Sequence, residues 1–318
     1  MSGKVEVSII IPTKDRHNNL KACVETIIQS YSCYPYKELL VIDGSEDLSI
    51  REMNKKFIEK VGGRYYFETR RGVSLARNTG IRKSSGEILV FADDDFIVDK
   101  KWIKKLIENY KDTDVMGCTG RMLTYRNDEI SELYEKCMSF DRGEVKRIFT
   151  KKDISILKLL KTVTLIGSKR LFENTPVPWA VGYGFYSFRR KIFDDIGYFD
   201  ENLGRGTTFV GGEDPDIFYR ILKHNYKMVY DPNAIIYHNH RQKYEDILKD
   251  AHNGGKSIKA ITTKYIMEKD IYMLFIFFGE FFLLVFSLCA SYFNPDKSFK
   301  KMIRAEAKGF LEGHAYKI

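Results

Sequence analysis

Gly86-Glu87-Ile88-Leu89-Val90-Phe91-Ala92-Asp93-Asp94-Asp95 runs an apolar stretch straight into three adjacent carboxylates. Ile88 to Ala92 reads as a buried strand. Three acids at its end repel one another and gain nothing structurally. A hard divalent cation relieves that repulsion, because carboxylate oxygens suit Mg²⁺ or Mn²⁺, which then bridges to phosphate. Alternate residues of an extended segment point the same way, so Asp93 and Asp95 are expected to act together while Asp94 points elsewhere. The competing explanation is an N-cap cluster ahead of a helix from Phe96 to Ile107.

Upstream, the same pattern repeats. Val7 to Ile11 is a short β-branched run stopped by Pro12, Leu39 to Ile42 is a second apolar run ending at Asp43, and Tyr65 to Phe67 reads as a third strand. Between them, Leu20 to Gln29, Ile50 to Glu59 and Leu75 to Ile81 have apolar residues at helical spacing. Strand and helix alternating at this pace predict an α/β fold, a doubly wound, mostly parallel sheet flanked by helices. Ligands bind such sheets beyond the carboxyl ends of the strands, which puts Asp43 and Asp93 in one crevice.

Downstream the signals are less regular. Trp102 to Tyr110 and Asp216 to Lys223 read as helices, Ile154 to Ile166 as an amphipathic helix, and Met228 to Tyr230 and Ile235 to Tyr237 as strands either side of an Asp231-Pro232 turn. Glycines cluster in loops from Pro178 to Asp216. Hydrophobic content of 44% over 318 residues excludes a mostly disordered chain. The net charge of +9 is concentrated, with nine basic and two acidic residues between Arg142 and Arg170. Such a patch implies an anionic partner or, equally, a solvated helix face. The five cysteines have no metal or redox spacing and read as reduced thiols. The run at Val7 is too short for a signal peptide, so the catalytic region is expected to face the cytoplasm.

Taken in order, Val7-Ser8-Ile9-Ile10-Ile11-Pro12-Thr13, Leu40-Val41-Ile42-Asp43-Gly44-Ser45, Arg71 to Gly80 and Gly86 to Asp95 resemble glycosyltransferase family 2. The resemblance continues at Gly197-Tyr198-Phe199-Asp200-Glu201, Gly211-Gly212-Glu213-Asp214-Pro215-Asp216 and Tyr237-His238-Asn239-His240, and it covers most of residues 5 to 240. It implies the GT-A fold, with a nucleotide-sugar-binding half (1–120) and an acceptor-binding half (121–262). By that analogy Pro12, Thr13 and Asp15 lie along the nucleotide. Asp43 accepts a hydrogen bond from a base N–H, Arg77 sits near the diphosphate, and Asp93 and Asp95 place the metal beneath it, with Asp94 beside the substrate. Ile42 departs from the pattern, standing where many members carry a second acid.

The acid pair Glu213-Asp214 belongs to the same resemblance, whose second acid serves as general base. A carboxylate is needed there to take the acceptor hydroxyl proton, so Asp214 is the candidate base and Glu213 a substrate contact. Helix capping with Pro215 at the first position is the alternative, and Asp216 is also available. His238, preferred over His240, is a candidate third metal ligand, since imidazole suits Mn²⁺. A structural histidine is the other option. Trp179, Tyr183 and Phe185 stack on a sugar or belong to the core.

Ile271 to Ala290 carries six phenylalanines and one charge, Glu280. As a helix it is about 30 Å long, enough to cross a bilayer core, although a central carboxylate costs roughly 2.5–3.5 kcal/mol on insertion. A membrane-embedded, interfacial or soluble-core helix fits the composition. The tail after Pro295, with six basic and three acidic residues, favours the cytoplasmic leaflet surface, and 263–318 is expected to form a membrane-associated helical region. The resulting expectation is a metal-dependent, inverting transfer from a nucleoside-diphosphate sugar, a UDP-sugar first, to a glycan or lipid-linked acceptor at the inner face of the cell membrane. Transfer to a polyprenyl phosphate is the alternative. Nucleic-acid binding is the remote one, with charge for it but no recognition motif.

Overall fold

The computed structural model describes residues 5–138, 140–158, 175–239, 243–293 and 297–316. Val7–Thr13 (β1) is buried at every position. It pairs in parallel with Glu38–Asp43 (β2) on one side and Ile88–Phe91 (β4) on the other. Arg64–Phe67 (β3) extends the same parallel ladder from β2. The helices His17–Ser30, Leu48–Lys60 and Val73–Lys83 connect these strands. Helical spacing brings Leu20, Cys23, Val24 and Ile27 to one buried face, and Asp47 caps the second helix by accepting the N–H groups of Ser49 and Ile50.

Beyond β4 the sheet becomes mixed. Phe96–Val98 (β5), Val115–Thr124 (β6), Arg147–Phe149 (β7), Tyr186–Arg189 (β8) and Lys227–His238 (β9) follow along the chain. The spatial order is β3-β2-β1-β4-β8-β6-β9-β5, with β7 on β9. β8 is antiparallel to both β4 and β6, β6 and β9 are parallel, and β5 and β7 are antiparallel to β9. The parallel, doubly wound reading therefore describes the first half of the sheet. β6 crosses position 120, so both halves share one sheet.

Three local expectations are corrected. The competing helix from Phe96 is a strand there, while the helix begins at Trp102 as expected. The two strands expected around Asp231-Pro232 are one strand whose register shifts opposite Gly120 and Arg121. The described part of the basic segment is not one solvated face. Arg142 is buried and donates to the Trp179 carbonyl at 3.0 Å, and Lys146 pairs with Asp231 at 3.3 Å. The rest of that segment, including most of Ile154 to Ile166, lies outside the described residues.

The sheet separates two apolar layers, one around Ile27, Val90 and Trp102, the other around Phe91, Phe188 and Phe218. A third cluster, with Tyr219, Tyr265 and Tyr272, joins the helix Glu213–Lys223 to the helices Tyr244–Met267 and Ile271–Phe293, and a smaller one, Leu284 with Ala307 and Phe310, joins Ile271–Phe293 to Lys297–Glu312.

Candidate active site

The strand ends around β1, β4 and β9 open into a cavity of about 1300 Å³. Pro12, Thr13, Arg77, Asp93, Asp94, Asp95, Trp179, Glu213, Asp214 and His238 all line it. Asp15 and Asp43 do not. Asp15 adopts φ 54° and its carboxylate accepts the N–H groups of Glu46 and Asp47, tying the loop after β1 to the loop after β2. Asp43 is fully buried. Its oxygens accept from Ser45 N–H (2.8 Å), Asn54 Nδ2 (2.8 Å) and Tyr65 O–H (3.0 Å), so the carboxylate expected to read a base also braces the end of β2.

The acid triplet is a turn rather than an extended segment, closed by Phe96 N–H donating to the Asp93 carbonyl at 3.3 Å. The pairing within the triplet differs from the expected one: Asp94 and Asp95 share Arg16, while Asp93 turns to Arg77. Asp94 is buried, accepts from Thr13 Oγ1 at 2.7 Å and pairs with Arg16 at 2.8 Å. The helix that follows is not capped by any side chain, which removes the capping explanation for the triplet. Asp95 pairs with Arg16 through one oxygen (2.8 Å) and stands 3.4 Å from His238 Nε2 through the other. Sheet register is the cause of that second contact. β5 aligns Phe96 with His238, and the Asn239 N–H donates to the Asp95 carbonyl at 3.0 Å.

Asp93 is turned toward Arg77, 3.1 Å away. Arg77 was expected beside a diphosphate; the structure engages it with protein carboxylates. It is 2% exposed and its guanidinium also reaches Glu213 (3.0 Å) and Asp214 (3.3 Å). Gly184, at φ 60°, sits so close to the triplet that a Cβ there would lie 3.1 Å from Asp93 Oδ2.

Asp214 occupies the second position of its helix, because Gly212, not Asp214, is the N-cap. Its carboxylate therefore does not cap the helix. It accepts from Gly184 N–H at 2.7 Å and Tyr186 O–H at 2.8 Å. Burial pushes it up to about 7, against the pull of Arg77. Asp216 is committed to the core by Lys264, Tyr265 and Arg220, at 2.7, 2.8 and 2.9 Å. That leaves Glu213 and Asp214 as the acids of this helix that face the cavity.

The site fits a divalent cation. Five acids (Asp93, Asp94, Asp95, Glu213 and Asp214) share two arginines, Arg16 and Arg77. Burial raises Asp93, and it raises Asp94 to about 7 despite Arg16. Asp95 and His238 form a carboxylate–imidazole pair on the cavity wall, a donor set suited to Mn²⁺. Among the described residues no three such side chains are grouped to hold an ion by themselves.

Several residues of the site had no signal strong enough to be singled out. Arg16 sits three residues beyond the Val7 to Thr13 motif. Tyr186, buried behind the wall and bonded to Asp214, lies on a strand too short to read. Arg205, Asp250 and Tyr134 come from three distant segments: Asp250 accepts from Tyr134 O–H at 2.6 Å and pairs with Arg205 at 3.1 Å.

A family model described as Glycosyl transferase family 2 matches residues 8–197. The chain belongs to glycosyltransferase family 2. The glycosyltransferase AglE of Haloferax volcanii is 28% identical over 197 residues, 60% of this chain and 62% of that protein. Glycosyltransferase GlyA of Streptococcus pneumoniae is 33% identical over 178 residues, 53% of this chain and 25% of that one. The chondroitin synthase of Pasteurella multocida is 23% identical over 283 residues, 86% and 28% of the two chains. The chain thus spans less than two thirds of the length of these relatives. Among solved structures, the mannosyltransferase PcManGT from Pyrobaculum calidifontis, in complex with GDP-Man and Mn²⁺, aligns with TM-score 0.58 at 15% identity, covering 98% of this chain and 71% of that one. GalNAc-T7 with UDP, GalNAc and Mn²⁺ aligns with TM-score 0.53 at 17% identity, covering 82% and 48%. This family 2 chain has the GT-A fold those likenesses imply.

Proposed function

We propose that this family 2 enzyme transfers a sugar, with inversion, from a nucleoside-diphosphate sugar to a hydroxyl of a glycan or lipid-linked acceptor at the cytoplasmic face of the cell membrane, using Mn²⁺ or Mg²⁺. The observation that carries the reading is Asp214. It is held by Gly184 N–H and Tyr186 O–H on the wall of the cavity that the acid triplet also lines. In this reading the donor occupies the 1–120 half, the acceptor the 121–262 half, and 263–318 holds the enzyme at the membrane.

Asp214 takes the proton of the acceptor hydroxyl as that oxygen attacks the anomeric carbon. The new C–O bond forms as the bond to the diphosphate breaks, and the diphosphate leaves with the electron pair. Direct displacement of this kind inverts the centre. Two hydrogen-bond donors fix the carboxylate's orientation, and Arg77 favours its ionised form. Asp95 and His238, with Asp93, would hold the cation, which when bound neutralises charge on the leaving diphosphate. Arg16, Arg70, Arg71 and Arg205 also line the cavity and supply positive charge to the donor phosphates. Trp179 and Tyr183 line the cavity on the side assigned to the acceptor.

Support comes from the two aligned structures, which are complexes with Mn²⁺ and a nucleotide or nucleotide sugar. Calorimetric titration with UDP, GDP, dTDP and CDP, with and without Mn²⁺, tests the reading. Metal-dependent binding of one nucleotide, lost in Asp95→Ala, is expected. Folded protein that binds none of the four would sink it.

A further inference from the structure

The helix Ile271–Phe293 is long and apolar enough to cross a membrane, with a mean hydropathy of 2.3 over Ile271–Cys289. Its packing argues against crossing. Tyr272, Met273, Ile276 and Leu284 are buried against the rest of the protein, and Tyr272 O–H donates to the Val177 carbonyl at 3.0 Å. Phe277 and Phe281 rest on Phe310 of the neighbouring helix Lys297–Glu312, with ring centroids 5.4 and 6.5 Å apart. Ser291, near the far end, is also buried. The helix is thus attached along its length.

Its supports form a stiff pair. Helices Tyr244–Met267 and Lys297–Glu312 touch backbone to backbone. A Cβ on Gly255 would lie 2.1 Å from the Glu306 carbonyl oxygen, and one on Gly309 would lie 1.9 Å from that of His252. A spanning Ile271–Phe293 would drag its supports into hydrocarbon, including Lys301, Arg304 and Lys308, each costing roughly 2.5–3.5 kcal/mol there.

The opposite face is apolar and open. Ile271, Phe275, Phe278, Phe282, Phe286 and Tyr292 recur at helical spacing and are 42–75% exposed. Glu280, the single charge of the segment, is off this stripe and faces Glu306. The exposed stripe of the neighbouring helix is basic: Lys297, Lys301, Arg304 and Lys308, of which Lys308 also pairs with Glu312 at 3.7 Å. An apolar stripe on one helix and a basic stripe on the helix packed against it match the two layers of an anionic bilayer surface, acyl chains beneath negative headgroups.

We infer that Ile271–Phe293 is an in-plane membrane helix, sunk into one leaflet of an anionic bilayer by its phenylalanine stripe and held there by the basic face of Lys297–Glu312. This deepens the membrane part of the proposed function but rests on no catalytic residue. It also places the acceptor end of the cavity close to lipid. Ile258 both lines the cavity and packs, as Phe277 and Leu288 do, on the group of Leu284, Ala307 and Phe310. Roughly one interhelical spacing, 8–10 Å, therefore separates the site from the membrane helix.

Flotation of the full chain with vesicles tests this. One set is phosphatidylcholine alone, the other phosphatidylcholine with phosphatidylglycerol. At least tenfold stronger association with the anionic set is expected, weakening with salt. Phe278→Ser/Phe282→Ser/Phe286→Ser should abolish it, and Lys301→Glu/Arg304→Glu/Lys308→Glu should remove the preference for anionic lipid. Both variants should keep the wild-type melting profile and nucleotide binding, which separates failure of docking from failure of the donor site. A fluorophore at Ile271→Cys or Phe282→Cys should report equal, shallow depth by lipid-borne quenchers. A deep Phe282 with a shallow Ile271 means a spanning helix and overturns the inference. So does wild-type protein that ignores vesicles and instead forms a dimer by light scattering that the triple serine variant dissociates.

Discussion

Arg77 Nη1 lies 3.3 Å from Asp214 Oδ1, and the same guanidinium reaches Asp93 at 3.1 Å. The candidate base and the first acid of the triplet are therefore two ends of one buried ion-pair network, with Glu213 as its third acid. Removing the cation leaves three carboxylates clustered in poor solvation. Arg77→Ala should cost about 3–5 kcal/mol of stability, the usual consequence of breaking a buried pair on one side. Arg77→Lys should recover only part of it, since one ammonium cannot fork between three acids. Urea denaturation of the three proteins checks this; equal midpoints would mean the network contributes no stability.

Asp214→Asn is the sharper probe of the chemistry. The amide keeps the shape but cannot take a proton, so turnover should fall about 10²–10⁴-fold, while nucleotide affinity stays within a few-fold. Burial holds the Asp214 carboxyl at about 7, and only its ionised form accepts a proton. Turnover in the wild type should therefore rise with pH up to about 7 and level off above it. A variant that keeps most of its activity would point to an acceptor that is already an anion, the polyprenyl-phosphate alternative.

The parallel half of the fold was legible because its strands are unbroken apolar runs followed by helices with clean periodicity. β6 and β8 were not legible, for a physical reason. β6 carries Gly117 and Gly120 where a side chain would clash, a Cβ on Gly120 lying 2.2 Å from Phe185 and 2.3 Å from the Ala234 carbonyl oxygen. Glycines chosen for close approach erase the β-branched signature by which a strand is read. β8 is four residues long, and no periodicity survives at that length. Within the site, motif residues adjacent in sequence were found together. Arg205, Asp250 and Tyr134 meet only through tertiary packing, which no local pattern encodes. Asp43 shows the converse, since position at a strand end did not reveal that Asn54 and Tyr65 would hold its carboxylate.

That arrangement predicts how Asp43 behaves on substitution. Asp43→Ala removes the acceptor for Asn54 Nδ2, Tyr65 O–H and Ser45 N–H, all within a buried site. Stability should drop by about 2–4 kcal/mol, because buried donors are left unsatisfied. The order of affinities for UDP, GDP, dTDP and CDP should not change. A reversal of that order in folded variant protein would assign Asp43 to base recognition.

The pair Glu280 and Glu306 predicts a pH-dependent stability of opposite sign to the usual carboxylate. Removal from water raises both to about 7, and for Glu280 the neighbouring Glu306 adds to the rise. The folded protein thus binds protons that the unfolded chain, with glutamates near 4.5, releases. The contribution of each group is fully present below about 4.5 and is lost as pH climbs toward 7. Stability should therefore fall over that interval where these groups dominate. Glu280→Gln and Glu306→Gln, which keep the packing but cannot ionise, should each gain on the order of 2 kcal/mol over wild type at pH 8 and nothing at pH 4. Thermal melts of the two variants across that range decide it: an equal offset at both pH values would mean the gain comes from packing, and no gain at pH 8 would mean that water reaches the carboxylates in the folded state.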